Sequence, residues 1–178
     1  MTFGSKRGMK LAKDERGSVL IEAALVMPLM AMLLLAAIEF GQAFTAKRRT
    51  DQVASTAADL VARAACVTQS DLQDISAIGG TILRPYASAP LGLRITSVTE
   101  KGAVQWSFGS GTLAPAKSGA AFSLPTSLAG QSKPLIIAEA TYAFTPTIGR
   151  FLVSGVTFST VSYNYSRLAG AVPLKASC

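Results

Sequence analysis

The sequence predicts an α+β protein: a long N-terminal transmembrane helix that extends beyond the membrane, a short second helix, and a head with a roughly four-stranded antiparallel sheet. Three observations support this. An apolar run lies near the N-terminus, helical periodicity continues after it, and four later stretches alternate apolar and polar residues. Helices followed by successive strands, without an internal repeat, are typical of α+β domains.

The apolar run covers Val19 to Ile38, twenty residues in which Glu22 is the single charge. As a helix it would rise about 30 Å, enough to cross the hydrocarbon core of a bilayer. It has no polar face, unlike the core helix of a soluble domain. We therefore predict a transmembrane helix. The alternative is a cleaved export signal, but no A-x-A site occurs between Leu29 and Ala46.

The basic residues around the run indicate its orientation. Five precede it, namely Lys6, Arg7, Lys10, Lys13 and Arg16, against Asp14 and Glu15. An excess of Lys and Arg favours the cytoplasmic side, so the N-terminal tail is expected there. Later apolar segments are strand-sized, so everything after about Phe44 is expected outside the cytoplasm. The predicted domains are a basic leader (1–17), a transmembrane and extended helix (18–66) and the head (67–178).

The first helix is expected to run from about Ser18 to Ala65, because neither proline nor glycine occurs between Thr45 and Ala65. Asp59 and Arg63 stand four residues apart and can pair on its surface. Its alanine-rich outer half allows close packing, either against its own sheet or against another helix. The predicted apolar stripe consists of Phe44, Val53, Ala57, Leu60, Val61 and Ala64.

A second helix is predicted from a capping box at Ser70 and Gln73, with Gly79-Gly80 or Pro85 as its end. The strands that follow are predicted at Leu91–Thr99, Ala103–Phe108, Leu135–Phe144 and Val156–Tyr165. In the first of them the alternation slips at Val98. Glu100–Gly102 is predicted as a hairpin turn, and Gly109–Lys133, rich in small residues and proline, as a loop.

The chain has two cysteines, Cys66 and Cys178, and no histidine. Outside the cytoplasm an even number of cysteines indicates a disulfide, the alternative being two free thiols. Without histidine the ligand set for a metal is poor, and no Ser-His or Cys-His pair can form. No glycine-rich phosphate loop occurs. We therefore expect neither an enzyme nor a cofactor.

The net charge of +7 does not indicate a nucleic-acid partner. Much of it lies in the leader, and basic residues do not alternate with aromatic ones. Lys47–Arg49 follow the apolar run directly, where lipid head groups are expected. Trp106, Tyr142 and Tyr163 are interpreted as core and interface aromatics.

Gly17 stands between the basic leader and the apolar run, and Glu22 is the fifth residue after it. This arrangement resembles the processing site of type IV prepilins and pseudopilins. In that family a membrane peptidase cuts after the glycine, and the fifth residue of the mature chain is characteristically glutamate. Two alternatives stay open: Gly17 as a flexible joint, and Glu22 as a carboxylate favoured by the helix N-terminus.

A more specific resemblance lies in G-S-V-L-I-E-A-A-L-V-M-P-L-M followed by I-E-F-G-Q-A-F. From Gly17 to Ala65 the chain is similar to the TadE-like family, minor pseudopilins of the tight-adherence (Tad or Flp) pilus. W-S-F at Trp106–Phe108 and E-A-T-Y-A-F-T-P at Glu139–Pro146 are similar to its periplasmic regions, less specifically. The family's arginine-proline-arginine ending is replaced by Y-N-Y-S-R at Tyr163–Arg167.

The resemblance implies cleavage by a prepilin peptidase between Gly17 and Ser18. It also implies that Glu22 pairs with the new amine of a neighbouring subunit. Pro28 then has either a role in local melting during assembly or that of a harmless kink. The implied partners are the prepilin peptidase, other pilins or pseudopilins, the inner-membrane pilus assembly platform and membrane lipid.

The implied location is the bacterial inner membrane in a single pass, with the N-terminus cytoplasmic and the head periplasmic; incorporation into a pilus stays open. The implied role is structural, in pilus initiation or assembly. The alternatives are an uncleaved, membrane-anchored binding or scaffold module and a domain freed by signal peptidase. The mature N-terminus would separate these three: Ser18, Met1, or a residue well past Phe40.

Overall fold

The computed structural model describes residues 16–125, 128, 133–149, 155–168 and 170–178. Most of the predicted leader lies outside these residues. The described elements are α1 (Arg16–Arg63), α2 (Gln69–Ile82), β1 (Leu91–Val98), β2 (Val104–Ser110), β3 (Leu135–Phe144) and β4 (Val156–Tyr165). The predicted α+β class is therefore confirmed. By its contacts the chain divides into two units, one ending at Gly41 and the other comprising Gln42–Cys178. We call residues 67–178 the head.

Within the second unit, α1 buries a face of small side chains. The buried residues recur every three or four positions, as expected for one side of a helix: Ala46, Thr50, Val53, Ala54, Ala57, Ala58, Val61 and Ala62. The predicted stripe is correct at Val53, Ala57 and Val61. It is wrong at Phe44 and Leu60, which are 53% and 39% exposed. Helix α1 packs through alanine because short side chains let its backbone approach the other core residues.

The N-cap of helix α2 lies two residues before the predicted one. Thr68, not Ser70, is the N-cap residue, and its backbone is extended whereas Ser70 is already helical. The Thr68 hydroxyl accepts a hydrogen bond from the Asp71 backbone N–H (3.2 Å), and the Asp71 carboxylate accepts one from the Thr68 N–H (2.8 Å). The capping box thus exists in a different register from the one predicted.

The Gly79-Gly80 pair does not end α2, which continues to Ile82. Gly79 is buried, and a Cβ atom there would lie 3.0 Å from Cγ1 of Val53. Glycine at this position therefore allows α2 to lie close against α1.

The sheet is antiparallel throughout, in the order β2-β1-β3-β4. Strands β3 and β4 have the predicted bounds. The predicted slip in β1 appears as a register shift between Ser97 and Val98 in the pairing with β2. Gly102 closes the turn between these strands with φ 78°, a left-handed conformation that glycine adopts without strain.

The main core lies between the helices and one face of the sheet, where Leu93, Ile95 and Ile136 are fully or almost fully buried. A smaller cluster covers the opposite face, with Val98, Leu135 and Ile137 beneath Phe122, Leu124, Leu128 and Tyr163. Trp106 and Tyr142 are buried and Tyr163 is partly buried, as expected for core aromatics.

Cys66 and Cys178 form a disulfide, with Cα atoms 6.0 Å apart, and are separated by 112 positions in sequence. The C-terminal tail also pairs with the residue after Cys66. Val67 N–H donates to the Pro173 carbonyl (3.0 Å), and Lys175 N–H donates to the Val67 carbonyl (2.9 Å). The end of the chain is therefore fixed to the segment that joins α1 to α2.

Candidate functional site: the N-terminal apolar helix

The apolar half of α1 is exposed on all sides. Its large apolar side chains between Val19 and Phe40 are 40–74% exposed. The helix is long and apolar enough to cross a membrane. A large apolar side chain left in water forgoes about 1.5–3 kcal/mol relative to a buried one. This segment therefore requires a cover of lipid or of other apolar helices.

Gly17 lies within the first turn of α1, which disfavours the interpretation as a joint before the helix. A Cβ atom there would meet nothing within 4 Å, and its φ is not positive. Gly111 is different: its φ is 64°, and a Cβ atom would lie 1.9 Å from the Leu91 carbonyl oxygen. The described fold requires glycine at position 111 but not at position 17.

Glu22 lies one turn after Ser18, and positions four apart share a helix face. Its side chain is exposed among apolar neighbours. It makes no hydrogen bond or ion pair that involves only the part of the chain described here. An ionisable group on a spanning helix is costly and usually functional. The structure thus leaves this carboxylate available to a group outside the described residues.

Pro28 lies within α1, and the helix continues on both sides of it. Proline has no N–H, so the carbonyl of Ala24 cannot receive its usual helical hydrogen bond. Membrane helices tolerate such a gap. Pro28 is therefore a local weak point in α1 that does not end the helix.

In the head, Glu139 has a partner, Arg94, that the sequence did not reveal. The two residues are directly opposite each other on β3 and β1, and Arg94 Nε donates to Glu139 Oε2. This hydrogen bond is the main cause that raises the pKa of Arg94. The two charges compensate each other at a half-buried position on the sheet. Cross-strand pairing could not be read from residues 45 positions apart in sequence.

Metal-ligating side chains do not gather in the described part of the chain, where no group of three Cys, Asp or Glu residues could hold an ion. Asp51, Asp71 and Glu139 instead have partners within the fold. Asp59 pairs with Arg63, as predicted, and also with Arg167. The hydrogen bond from Arg63 is the main cause that lowers the pKa of Asp59.

Residues 17–59 match the family described as TadE-like protein. The match begins at the glycine of the expected processing site and ends within α1, six residues before the end of the resemblance seen in the sequence. Neither a curated protein nor a solved structure matches the chain. The similarity of Trp106–Phe108 and Glu139–Pro146 to this family stays a prediction. The chain therefore carries a TadE-like domain from Gly17 to Asp59, and this domain lies within helix α1.

Proposed function

We propose that this protein is a membrane-anchored, pseudopilin-like component of a Tad (Flp) pilus assembly machinery. A prepilin peptidase cuts it after Gly17, and the mature chain acts structurally in pilus initiation or assembly. Its partners are other pilins or pseudopilins and the assembly platform of the inner membrane.

The observation that carries this proposal is Gly17 itself. It is the first residue of the TadE-like domain and lies in the first turn of an exposed apolar helix. Neither space nor backbone conformation requires a glycine there. A peptidase that accepts only a small residue before the scissile bond would account for it. Glu22 stands at the fifth position after that bond, as in prepilins.

The proposed organisation follows from this cleavage. Residues 1–17 are a cytoplasmic leader, residues 18–66 contain the transmembrane and extended helix, which ends at Arg63, and residues 67–178 form a periplasmic head. The Cys66–Cys178 disulfide supports the placement of the head, because disulfides persist in the oxidising periplasm and are rare in the cytoplasm. The buried face of small residues on α1, from Ala46 to Ala62, lets the head pack against one side of the helix.

The test is the N-terminal sequence and intact mass of the protein from native membranes. A chain that begins at Ser18 and contains one disulfide is expected. A chain that begins at Met1 would instead support an uncleaved anchored module. A chain that begins well past Phe40 would show a secreted domain, and either of these results would overturn the proposal.

A further inference from the structure

We propose that strand β4 is an interface between two copies of this chain, in which the two β4 strands pair antiparallel along their outer edges. The contact involves only the unit Gln42–Cys178. It goes beyond the proposed function and does not depend on the membrane anchor.

The two edges of the sheet differ in what covers them. The strand order makes β2 and β4 the edge strands. On the outer edge of β2, the Val104 N–H donates to the Ala120 carbonyl (2.9 Å), and the Val104 carbonyl accepts the Gly119 N–H (2.8 Å). The Ser118 hydroxyl donates to the Gln105 carbonyl on the same edge (3.0 Å). On the outer edge of β4, by contrast, no backbone hydrogen bond leads to a described residue.

Strand β4 also lacks the features that usually protect an open edge. Natural edge strands commonly carry lysine, proline or a bulge, because uncovered backbone groups pair with other strands. All ten residues of β4 pair with β3 in an unbroken register. Its sequence, V-T-F-S-T-V-S-Y-N-Y, contains neither a charged residue nor proline. Such β-branched and aromatic residues favour strand pairing. The strand can therefore accept a further strand along its whole length.

The backbone groups of every second residue of β4 point outward. The Ser166 N–H donates to the Pro134 carbonyl (3.3 Å), so these two residues form a hydrogen-bonded pair directly after the pair of Leu135 and Tyr165. Hydrogen-bonded and non-hydrogen-bonded pairs alternate along an antiparallel ladder. Counting back from Ser166, the residues whose N–H and C=O groups point away from β3 are Thr157, Ser159, Val161, Tyr163 and Tyr165. Another extended backbone matches such an array.

A second copy of β4 matches this array in one register. When the two strands pair antiparallel about a two-fold axis at Val161, every outward residue lies opposite an outward residue. Val161 lies opposite Val161, Ser159 opposite Tyr163, and Thr157 opposite Tyr165. This register uses the whole open edge, and the two-fold axis makes the interface isologous.

The side chains are compatible with this register. Each tyrosine lies opposite a small hydroxyl-bearing residue, and aromatic or β-branched pairs across strands stabilise a sheet. No like charges meet, because β4 has no charge. Val161 and Tyr165 are 40% and 37% exposed and lose exposed apolar surface on pairing. Self-pairing thus satisfies the open backbone groups and covers exposed side chains together.

The first test is the mass of the full chain in detergent, measured by light scattering over a range of protein concentrations. The wild type should form a dimer as the concentration rises. Ser159→Pro removes an outward N–H but no hydrogen bond to β3, so it should weaken self-association at least about tenfold. Ser159→Ala is the matched control, because it keeps the N–H and should associate like the wild type.

Two results of this test would overturn the inference. One is a wild-type chain that stays monomeric at every concentration. The other is a Ser159→Pro variant that associates as strongly as Ser159→Ala, which would locate the contact elsewhere, for instance in the apolar part of α1.

Photo-cross-linking tests the register. The photoreactive amino acid p-benzoylphenylalanine in place of Tyr165 should cross-link two copies, and tandem mass spectrometry should place the attachment at or beside Thr157. The same amino acid in place of Leu168, which is 49% exposed and lies just beyond β4, should not give a cross-linked dimer. Attachment at position 165 of the second copy would show a parallel arrangement and contradict the proposed pairing.

Hydrogen exchange on the wild-type chain removes any dependence on the folding of these variants. The amides of Ser159 and Val161 should exchange more slowly at concentrations that favour the dimer. The amide of Thr160, which bonds to β3, should change little. Exchange at Ser159 and Val161 that does not depend on concentration would also overturn the inference.

Discussion

The indole nitrogen of Trp106 donates a hydrogen bond to the carbonyl of Val172 across 2.7 Å, and both residues are buried. Trp106 lies in β2, whereas Val172 belongs to the C-terminal tail. The same tail pairs with Val67 and ends in the disulfide at Cys178. A side chain with a large apolar ring and one donor thus anchors the tail where the sheet meets it.

Replacing Trp106 by Phe keeps an aromatic ring but leaves the buried Val172 carbonyl without its donor. We expect a loss of about 1–3 kcal/mol in the free energy of unfolding, because an unsatisfied buried group retains its desolvation cost. Denaturant unfolding of the oxidised protein measures this loss. Tyr165→Phe, at a side chain that is 37% exposed, is the control and should change stability by less than about 0.5 kcal/mol. A Trp106→Phe variant as stable as this control would contradict the role of the bond.

Reduction of the Cys66–Cys178 disulfide should lower the melting temperature. The bond closes a loop of 112 positions, for which the loss of chain entropy predicts about 4–5 kcal/mol. Both cysteines should resist alkylation until reductant is added. The Cys66→Ser/Cys178→Ser variant should melt lower than the wild type and should not respond to reductant. Complete alkylation without reductant would show that the bond is absent from the native protein.

Strands β3 and β4 could be bounded from the sequence because their ends carry local signals. Pro134 immediately precedes β3, and Gly155, with φ 125°, immediately precedes β4. Between these signals the residues favour strands and alternate. Local sequence was therefore sufficient for both bounds.

Long-range packing decided what the sequence did not show. The buried face of α1 includes Ala46 and Thr50, which carry little hydrophobic signal, whereas the more apolar Leu60 is partly exposed. Which face is buried depends on how the helix packs against the head. The Trp106–Val172 bond likewise joins residues 66 positions apart. In the candidate site, the spacing from Gly17 to Glu22 is visible in the sequence. Cleavage at Gly17 and pairing of Glu22 depend on other proteins, so this chain alone does not determine them.

The capping box of α2 should make stability depend on pH. The Asp71 carboxylate accepts the Thr68 N–H, and this bond is the main cause that lowers its pKa. A carboxyl whose pKa is lower in the folded state stabilises the fold above the unfolded pKa. That contribution is lost as the pH falls through the folded pKa, below about pH 4. In the Asp71→Asn variant, the free energy of unfolding should therefore fall less steeply as the pH is lowered into the acid range.

A second pair of variants tests which residue caps α2. Thr68→Ala should cost about 1 kcal/mol at neutral pH, and Ser70→Ala distinctly less, because only Thr68 accepts the Asp71 N–H. Some acid dependence should remain in every variant, since the pKa of Asp59 is also lowered by Arg63. An Asp71→Asn variant with an unchanged acid limb, or a larger loss for Ser70→Ala, would contradict this description of the cap.

Substitution of Gly17 should block processing without affecting the fold. Gly17→Ala, and more strongly a bulkier residue, should leave a precursor about 17 residues longer, because a side chain would obstruct the peptidase while meeting nothing in this protein. Gly41→Ala is the matched control, since a Cβ atom there also meets nothing within 4 Å. Its cleavage should be normal. An unchanged N-terminus in a bulky Gly17 variant would contradict the pseudopilin proposal.

Glu22 should separate processing from assembly. After cleavage it would be the fifth residue of the mature chain, about one helical turn from the new amine of Ser18. The apolar run of α1 contains no cation. In a bundle of such helices, we expect the amine of an adjacent pseudopilin to be the partner of this carboxylate. Such a charge pair is strong where the dielectric constant is low, and removing one partner leaves the other uncompensated.

We therefore expect Glu22→Ala and Glu22→Gln to be inserted and at least partly cleaved, but to lose co-purification with partner pilins and to lose surface pili. Gln keeps the size and polarity of Glu without its charge, so failure of both variants would identify the charge as the requirement. Cleavage, membrane pull-down and pilus number should be scored on the same samples, with the wild-type chain as the assembly-competent control. Normal association and piliation by Glu22→Ala would exclude the intermolecular pair. Glu22 would then be a helix-end carboxylate, stabilised by the N-terminal dipole of α1 and by water.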